Sequence, residues 1–232
     1  MNKKNIDRKK KLPELLKRAE DKKNKPLQFL KRIKMAVRQA FARKPKKAIL
    51  WKAGPTLNQD YSAACTGYGS VHLLNCEPNP QNYGENTAKL LWQEYKNKDF
   101  LPNDDSPDQG AISWWTVSIL KRLGYIKGGV KNFDNIQETL VWLENAGPIA
   151  IGSDWRDGMD HPNGQSIIKF SGEVRGGHFY IVHGIRFINK KPFVIIQNSW
   201  GEAWGDKGHA YLPWNQFKKL IRSFPDIYGV VK

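Results

Sequence analysis

The sequence predicts an α+β body in two lobes, one helical and one built on a β-sheet, behind a basic, partly helical N-terminal arm. Three observations carry that expectation. The apolar residues recur at helical spacing before Gly147 and at strand spacing after it. Apolar residues make up 40% of the 232, with nine Trp, which is material for a core. The net charge of +16 is uneven: residues 1–50 are net +15, while residues 51–232 are net +1. Helices first and strands second point to segregated layers, not to alternating βα units.

Taken in order, residues 1–50 read as the arm. Leu30, Ile33, Val37 and Phe41 stand three and four apart, Pro26 occupies a position tolerated in a first turn, and Leu12, Leu15 and Leu16 mark a weaker helix. A basic amphipathic helix suits nucleic acid, an anionic membrane surface, or docking on its own body, a cleft included. A solvated tail is the plain alternative.

Residues 51–232 read as the globular domain, with the helical lobe over about 51–146 and the sheet lobe over about 147–232. Helices are expected at 65–76, 87–97, 110–123 and 134–145. In the third, Ile112, Trp115, Ile119 and Leu123 share a face, and Gly124 stops it. The fourth opens on Asp134 with Gln137 three residues later, which resembles a capping box. Strands are expected in "PIAIGS", "SIIKF", "GGHFYIVHGIRF", "PFVIIQ" and "GHAYLP", then a helix in "WNQFKKLI" and a strand in "YGVVK". Clefts between two such lobes commonly take small molecules or peptides.

The two cysteines, Cys65 and Cys76, are eleven residues apart, roughly 16 Å on one helix at ~1.5 Å per residue. A disulfide needs Cα atoms within ~7 Å, so two free thiols in a reducing compartment are expected. The first 30 residues hold no apolar run of signal-peptide length, and no stretch is apolar enough for a transmembrane segment. These features suit the cytoplasm of a cell, or a virus particle.

The chemistry centres on "LNQDYSAACTGYGSVHL". Small, turn-prone residues lead into Cys65, and a helix follows, so the thiol stands at a helix N-terminus, where its pKa can be depressed by several units if an imidazolium is near. Five histidines compete to supply that ring. His72 is two turns along the same helix, His161 sits in the turn-rich "DHPNG", and His209 reads as an ordinary strand residue. His178 and His183 remain, and their separation of five places them on opposite faces of a straight strand. Local chemistry favours His178, because Gly176 and Gly177 let backbone or substrate approach closely. His183 stays open as the alternative. In "IIQNSWGEAWGDKGHAYL", Asn198 can fix an imidazole tautomer and Trp200 can screen that hydrogen bond from water. A tight turn with two packed indoles is the plain reading of the same stretch.

Gln59, Cys65, the "GGH" that ends in His178, and "NSWGEAWGDKG" from Asn198 to Gly208 stand in the order of the papain-like cysteine peptidases, and Gln59 lies six residues before Cys65. The resemblance covers Asn58 to about Tyr228. It looks closest to divergent phage and bacterial members, with Thr66 directly after the cysteine and "GPIAIG" between the lobes. It implies a papain-like fold and hydrolysis of peptide or isopeptide bonds in a protein or peptide substrate. Cys65 would be the nucleophile and His178 its base. Asn198 would orient His178 and Trp200 would cover the pair. Gln59 and the Cys65 backbone N–H would hold the oxyanion, and Gly177 would border the bound chain. No metal or organic cofactor is implied.

Departures from the family pattern also bear on the reading. Ser62 stands where an upstream Cys is common, which suits a disulfide-free protein, and Thr66 replaces an aromatic beside the nucleophile. The arm is about half the length of the inhibitory pro-segment of secreted relatives, so that segment is expected to be missing. Trp155 and Met159 belong either to the cleft wall or to the core. Three alternatives stand beside a peptidase: a catalytically silent binding module, a cell-wall amidase of another Cys–His fold, and a nucleic-acid binder working through the arm.

Overall fold

The computed structural model describes residues 43–98, 113–223 and 225–231, all within the unit Ala42–Lys232. The helices expected in the arm, and the start of the helix expected at 110, lie outside the described residues.

The chain is already in the sheet at β1 (Ile49–Leu50), which pairs with Gly184 and Ile185. Helix α1 (Cys65–Asn75) follows, and all of its residues are buried. Four of its side chains, Thr66, Ser70, His72 and Asn75, are polar and buried; Ser70 Oγ donates to Thr66 O at 2.6 Å and Asn75 Nδ2 to Tyr83 O at 2.7 Å. Gly67 and Gly69 permit the close packing: a Cβ at 67 would overlap the Ala88 carbonyl, and one at 69 would overlap the Phe179 ring. Ala88 belongs to α2 (Glu85–Lys98). A 3₁₀ turn (Ser113–Trp115) leads into α3 (Thr116–Arg122), and Gly124, with φ of 78°, ends that helix as expected.

β2 (Val130–Asn132) precedes α4 (Ile136–Asn145). The cap of α4 is Asn135, not the expected Asp134: Asn135 has extended backbone and its Oδ1 accepts from Glu138 N at 2.9 Å. Asp134 instead accepts from the Asn135 side chain. Then come β3 (Ile149–Arg156), the single turn α5 (Asp157–Asp160), β4 (Val174–Ile188), β5 (Lys191–Gln197), β6 (His209–Pro213), α6 (Trp214–Arg222) and β7 (Asp226–Val230). "SIIKF" does not form a strand; it makes one bridge, Ile167 to Tyr211, because Asn163 Oδ1 gathers the Gln165 and Ile167 N–H groups into a turn. β1, β2 and α5 were not expected from the sequence.

The strands pair antiparallel in the order β2-β7-β3-β4-β5-β6, with β1 also on β4. β3 over Ile149–Ile151 and β4 over His178–Ile185 are buried on both faces. Ile149, Ile151, Tyr180 and Val182 face a core shared with α4 and α6, while Ala150, Phe179 and Ile181 face the core around α1. Alternation of period two therefore serves both lobes from the same strands. Helix α4, which sequence order assigns to the helical lobe, packs Ile136, Leu140 and Leu143 into the sheet-side core. Among the described residues, no helix is long and apolar enough to cross a membrane.

Candidate active site

Cys65 opens α1 behind Ala64, whose side chain makes no cap hydrogen bond. The first N–H groups of the helix are thus left to whatever lies beside the thiol. His178 reaches the same place from β4, paired in register with Ser153 of β3. Cys65, His178, Gln59 and Gly177 all line one cleft of about 600 Å³.

Asn198 follows the end of β5. Its Oδ1 accepts from the Ser199 backbone N–H at 2.8 Å and lies 2.7 Å from His178 Nε2. The first of these contacts fixes the amide orientation, so the same oxygen faces the imidazole. An oxygen facing Nε2 requires Nε2 to carry the hydrogen. Nδ1 then holds the lone pair and is the nitrogen left to take a proton from a thiol.

Gln59 is brought to this point by backbone pairing. Asn58 bridges Trp200, and Gln59 N donates to Ser199 O at 2.8 Å. Its side-chain oxygen accepts from Ser199 Oγ at 2.5 Å, and its Nε2 donates to Ser62 O at 2.6 Å. One Nε2 hydrogen is engaged in that contact, which leaves a second for a ligand in the cleft.

An aromatic shell holds the imidazole. The Trp155 ring lies edge-on to His178 at 4.7 Å, and Trp200 is tilted against it at 5.2 Å. Asp160 anchors the shell: its carboxylate accepts from Trp155 Nε1 at 2.8 Å, and its carbonyl accepts from Trp204 Nε1 at 2.9 Å. Trp155 is thus both buried and against the site, while Met159 is wholly in the core.

Burial pushes the Cys65 thiol up, opposed by backbone N–H groups of Phe179, Thr66 and Cys65 itself. Burial lowers His178 to about 4, opposed by the Asn198 hydrogen bond and the Asp160 carboxylate. Each group alone is held neutral, so charge separation between them depends on their forming a pair.

The other histidines are elsewhere. His183 Nδ1 donates to Trp51 O at 2.8 Å, and its ring lies 5.1 Å from that of His209. His72 is fully buried and its Nε2 accepts from Leu57 N, while His161 is exposed. Cys76 is buried, and both cysteines are free thiols. Among the described residues, no group of three or more His, Cys, Asp or Glu is placed to hold a metal. Sequence reasoning missed Ser199 and Asp160. Ser199 stood inside the quoted Asn motif; nothing local marked Asp160, whose partners lie 5 and 44 residues away.

Residues 116–221 match the family model described as papain family cysteine protease. That segment holds His178 and Asn198 but neither Gln59 nor Cys65. Cysteine proteinase A of Leishmania mexicana is 26% identical over 84 residues, which is 36% of this chain and 23% of that protein. Mouse cathepsin F is 27% identical over 115 residues, 47% of this chain and 24% of that protein. A viral cathepsin of Epiphyas postvittana nucleopolyhedrovirus is 35% identical over 66 residues, 28% of this chain and 20% of that protein. The chain thus spans about a quarter or less of these relatives' length. A recombinant stem bromelain precursor superposes with a TM-score of 0.56 at 13% identity, covering 84% of this chain and 72% of that one. A structure from work on the mite allergens Blo t 1 and Der p 1 gives 0.55 at 12%, covering 82% and 73%. The chain has a papain-like two-lobe fold, and within it residues 116–221 are similar to the papain family cysteine protease model.

Proposed function

We propose that this papain-like chain is a cysteine peptidase that hydrolyses peptide or isopeptide bonds in protein substrates. The observation that supports it best is the 2.7 Å contact of His178 Nε2 with Asn198 Oδ1, in a cleft that Cys65 and Gln59 also line. Nδ1 of His178 takes the Cys65 proton, and the thiolate attacks the carbonyl carbon of the scissile bond. The carbonyl oxygen becomes an oxyanion that accepts from Gln59 Nε2 and the Cys65 backbone N–H. The C–N bond breaks, His178 returns the proton to the leaving amine, and a thioester on Cys65 remains. Water then gives a proton to Nδ1 and attacks the thioester, and the carboxylic product leaves as Cys65 regains its proton.

Peptide hydrolysis by wild type and Cys65→Ala tests the assignment. Turnover in wild type and loss of at least about 1000-fold in the variant are expected; equal rates would remove Cys65 from the mechanism.

A second reading, a silent peptidase-like binding module, draws on burial acting against charge on both Cys65 and His178. Iodoacetamide labelling of Cys65 against pH separates the two. Labelling that persists near pH 5 and is lost in His178→Ala belongs to a peptidase. Labelling that titrates near ~8.5 and ignores His178 belongs to the module.

Residues 1–50, at net +15, suit nucleic acid or an anionic surface, and the two free thiols suit a cytoplasmic or virion setting. Thr66 and the "GPIAIG" strand from Gly147 to Gly152 keep a closer kinship with phage and bacterial members within this proposal.

A further inference from the structure

Among the described residues, five other than glycine adopt a left-handed backbone, and Asp60, with φ of 50°, is the one that adjoins a residue of the proposed site. Few side chains besides Asn and Asp accept that conformation. Asn58 holds Asp60 in it from two residues upstream. Its Oδ1 accepts from Asp60 N at 3.0 Å, and its Nδ2 donates to Asp60 Oδ1 at 2.7 Å. The two bonds close a ring across Gln59. Asn58 is itself fixed on two sides. Its backbone N–H donates to Glu85 Oε1 of α2 at 3.1 Å, and its side chain lies over Gly201, where a Cβ would come within 3.3 Å of Asn58 Cγ. Asn58 and Asp60 are exposed, whereas Gln59 between them is only 7% exposed.

The reversal at Asp60 turns the chain back toward Gln59. Ser62 N donates to Gln59 O at 3.1 Å, and Ser62 O accepts one Nε2 hydrogen of Gln59 at 2.6 Å. With that hydrogen taken by Ser62 and Oε1 taken by Ser199, the direction of the second Nε2 hydrogen is set. We infer that Asn58 and Asp60 are positioning residues: by clamping the chain across Gln59 they aim its remaining Nε2 hydrogen at the place where the oxyanion forms. A donor of this kind works when it is aimed before the charge develops, and a displacement of about 1 Å at a reacting centre can cost ~100-fold in rate. Neither Asn58 nor Asp60 is among the residues lining the cleft, so both act through the glutamine. The inference rests on the peptidase reading for the use made of Gln59; the clamp itself is independent of turnover.

The test compares full-length wild type, Asn58→Ala, Asp60→Ala and Asp60→Asn. Peptide hydrolysis gives kcat and KM, and a peptide aldehyde gives the affinity for a tetrahedral adduct on Cys65. Iodoacetamide gives the rate of an alkylation at Cys65 that forms no oxyanion. Side-chain amide relaxation by NMR gives the order parameter of Gln59 and needs no turnover. Asn58→Ala and Asp60→Ala should lower kcat and aldehyde affinity together by ~10- to 100-fold, loosen the Gln59 amide, and leave KM and the iodoacetamide rate near wild type. Asp60→Asn tolerates the left-handed backbone and keeps an acceptor for Asn58, so it should retain wild-type values. On a Gln59→Ala background, Asn58→Ala should have no further effect. Hydrolysis by wild type with kcat unchanged in Asn58→Ala overturns the inference and leaves the peptidase reading intact. A loss that adds fully to that of Gln59→Ala, or an iodoacetamide rate that falls in step with kcat, also overturns it. If Asp60→Ala does not fold, Asn58→Ala and the retention in Asp60→Asn decide. If wild type neither hydrolyses peptide nor binds the aldehyde, the peptidase reading falls and the order parameter decides: a looser Gln59 amide in Asn58→Ala upholds the clamp, and an unchanged one overturns it.

Discussion

At the residue scale Ser199 holds two of the four residues proposed for the site. Its hydroxyl fixes Gln59 Oε1 and its backbone N–H fixes Asn198 Oδ1. Gln59→Ala is expected to lower kcat/KM by ~100- to 1000-fold, the usual result of losing one oxyanion donor. Ser199→Ala should lower it by roughly 10-fold and add little on top of Gln59→Ala, since the hydroxyl acts through the glutamine; full additivity in a double-mutant cycle would refute that route. Asp160 acts through charge. Its carboxylate raises the basicity of His178 against burial, so Asp160→Asn should lower the imidazole pKa further below about 4. The measurement is Cys65 labelling at pH 5 to 6, which slows if fewer imidazolium–thiolate pairs form.

At the element scale, α1 and α4 show two ways of starting a helix. Asn135 caps α4 through a hydrogen bond to Glu138 N. Asn135→Ala should cost about 1 kcal/mol, which corresponds to about 2–4 °C in melting temperature for a domain of this size. Asp134→Ala should cost much less, which distinguishes the observed cap from the expected one. Helix α1 has no side-chain cap, because Ala64 has none to offer. Its open N–H groups are partnered instead by the Cys65 thiol, so the element gives up a local stabilisation at the point where its N-terminus meets the cleft.

At the scale of the whole molecule, three buried imidazoles set the response to acid. Burial lowers His72 to about 3 and both His178 and His183 to about 4, from an ordinary 6.5; the charges of His209 and His183 lower His72 further. Between about pH 6.5 and about 4 the unfolded chain therefore binds more protons than the folded one. Stability is full above about 6.5 and is lost progressively as pH falls through that window. The denaturant midpoint should drop between pH 7 and pH 4.5. In His72→Gln the fall should be shallower by about one proton's worth of slope; an identical slope would mean that His72 is not titrating with unfolding.

What the sequence by itself determined is local. The apolar period placed α1, α2, α4 and most strands within a few residues, because amphipathic spacing is a property of neighbours along the chain. The residues proposed for the site were legible through a family resemblance carried by short stretches: Gln59 and Cys65 share one, and Asn198 and Trp200 share another. Sequence left the choice between His178 and His183 to local chemistry. The tertiary structure separates them, bringing His178 to Asn198 and turning His183 to Trp51. It likewise decided the cap of α4, the packing of α4 under the sheet, and the meeting of Asp160 with two indoles. Asp226 is the sharpest case, because Ser113 and Gly152 reach it from 113 and 74 residues away. Such contacts form only when the strands pair, and nothing in the spacing of residues along one chain encodes which side chains then share a cleft.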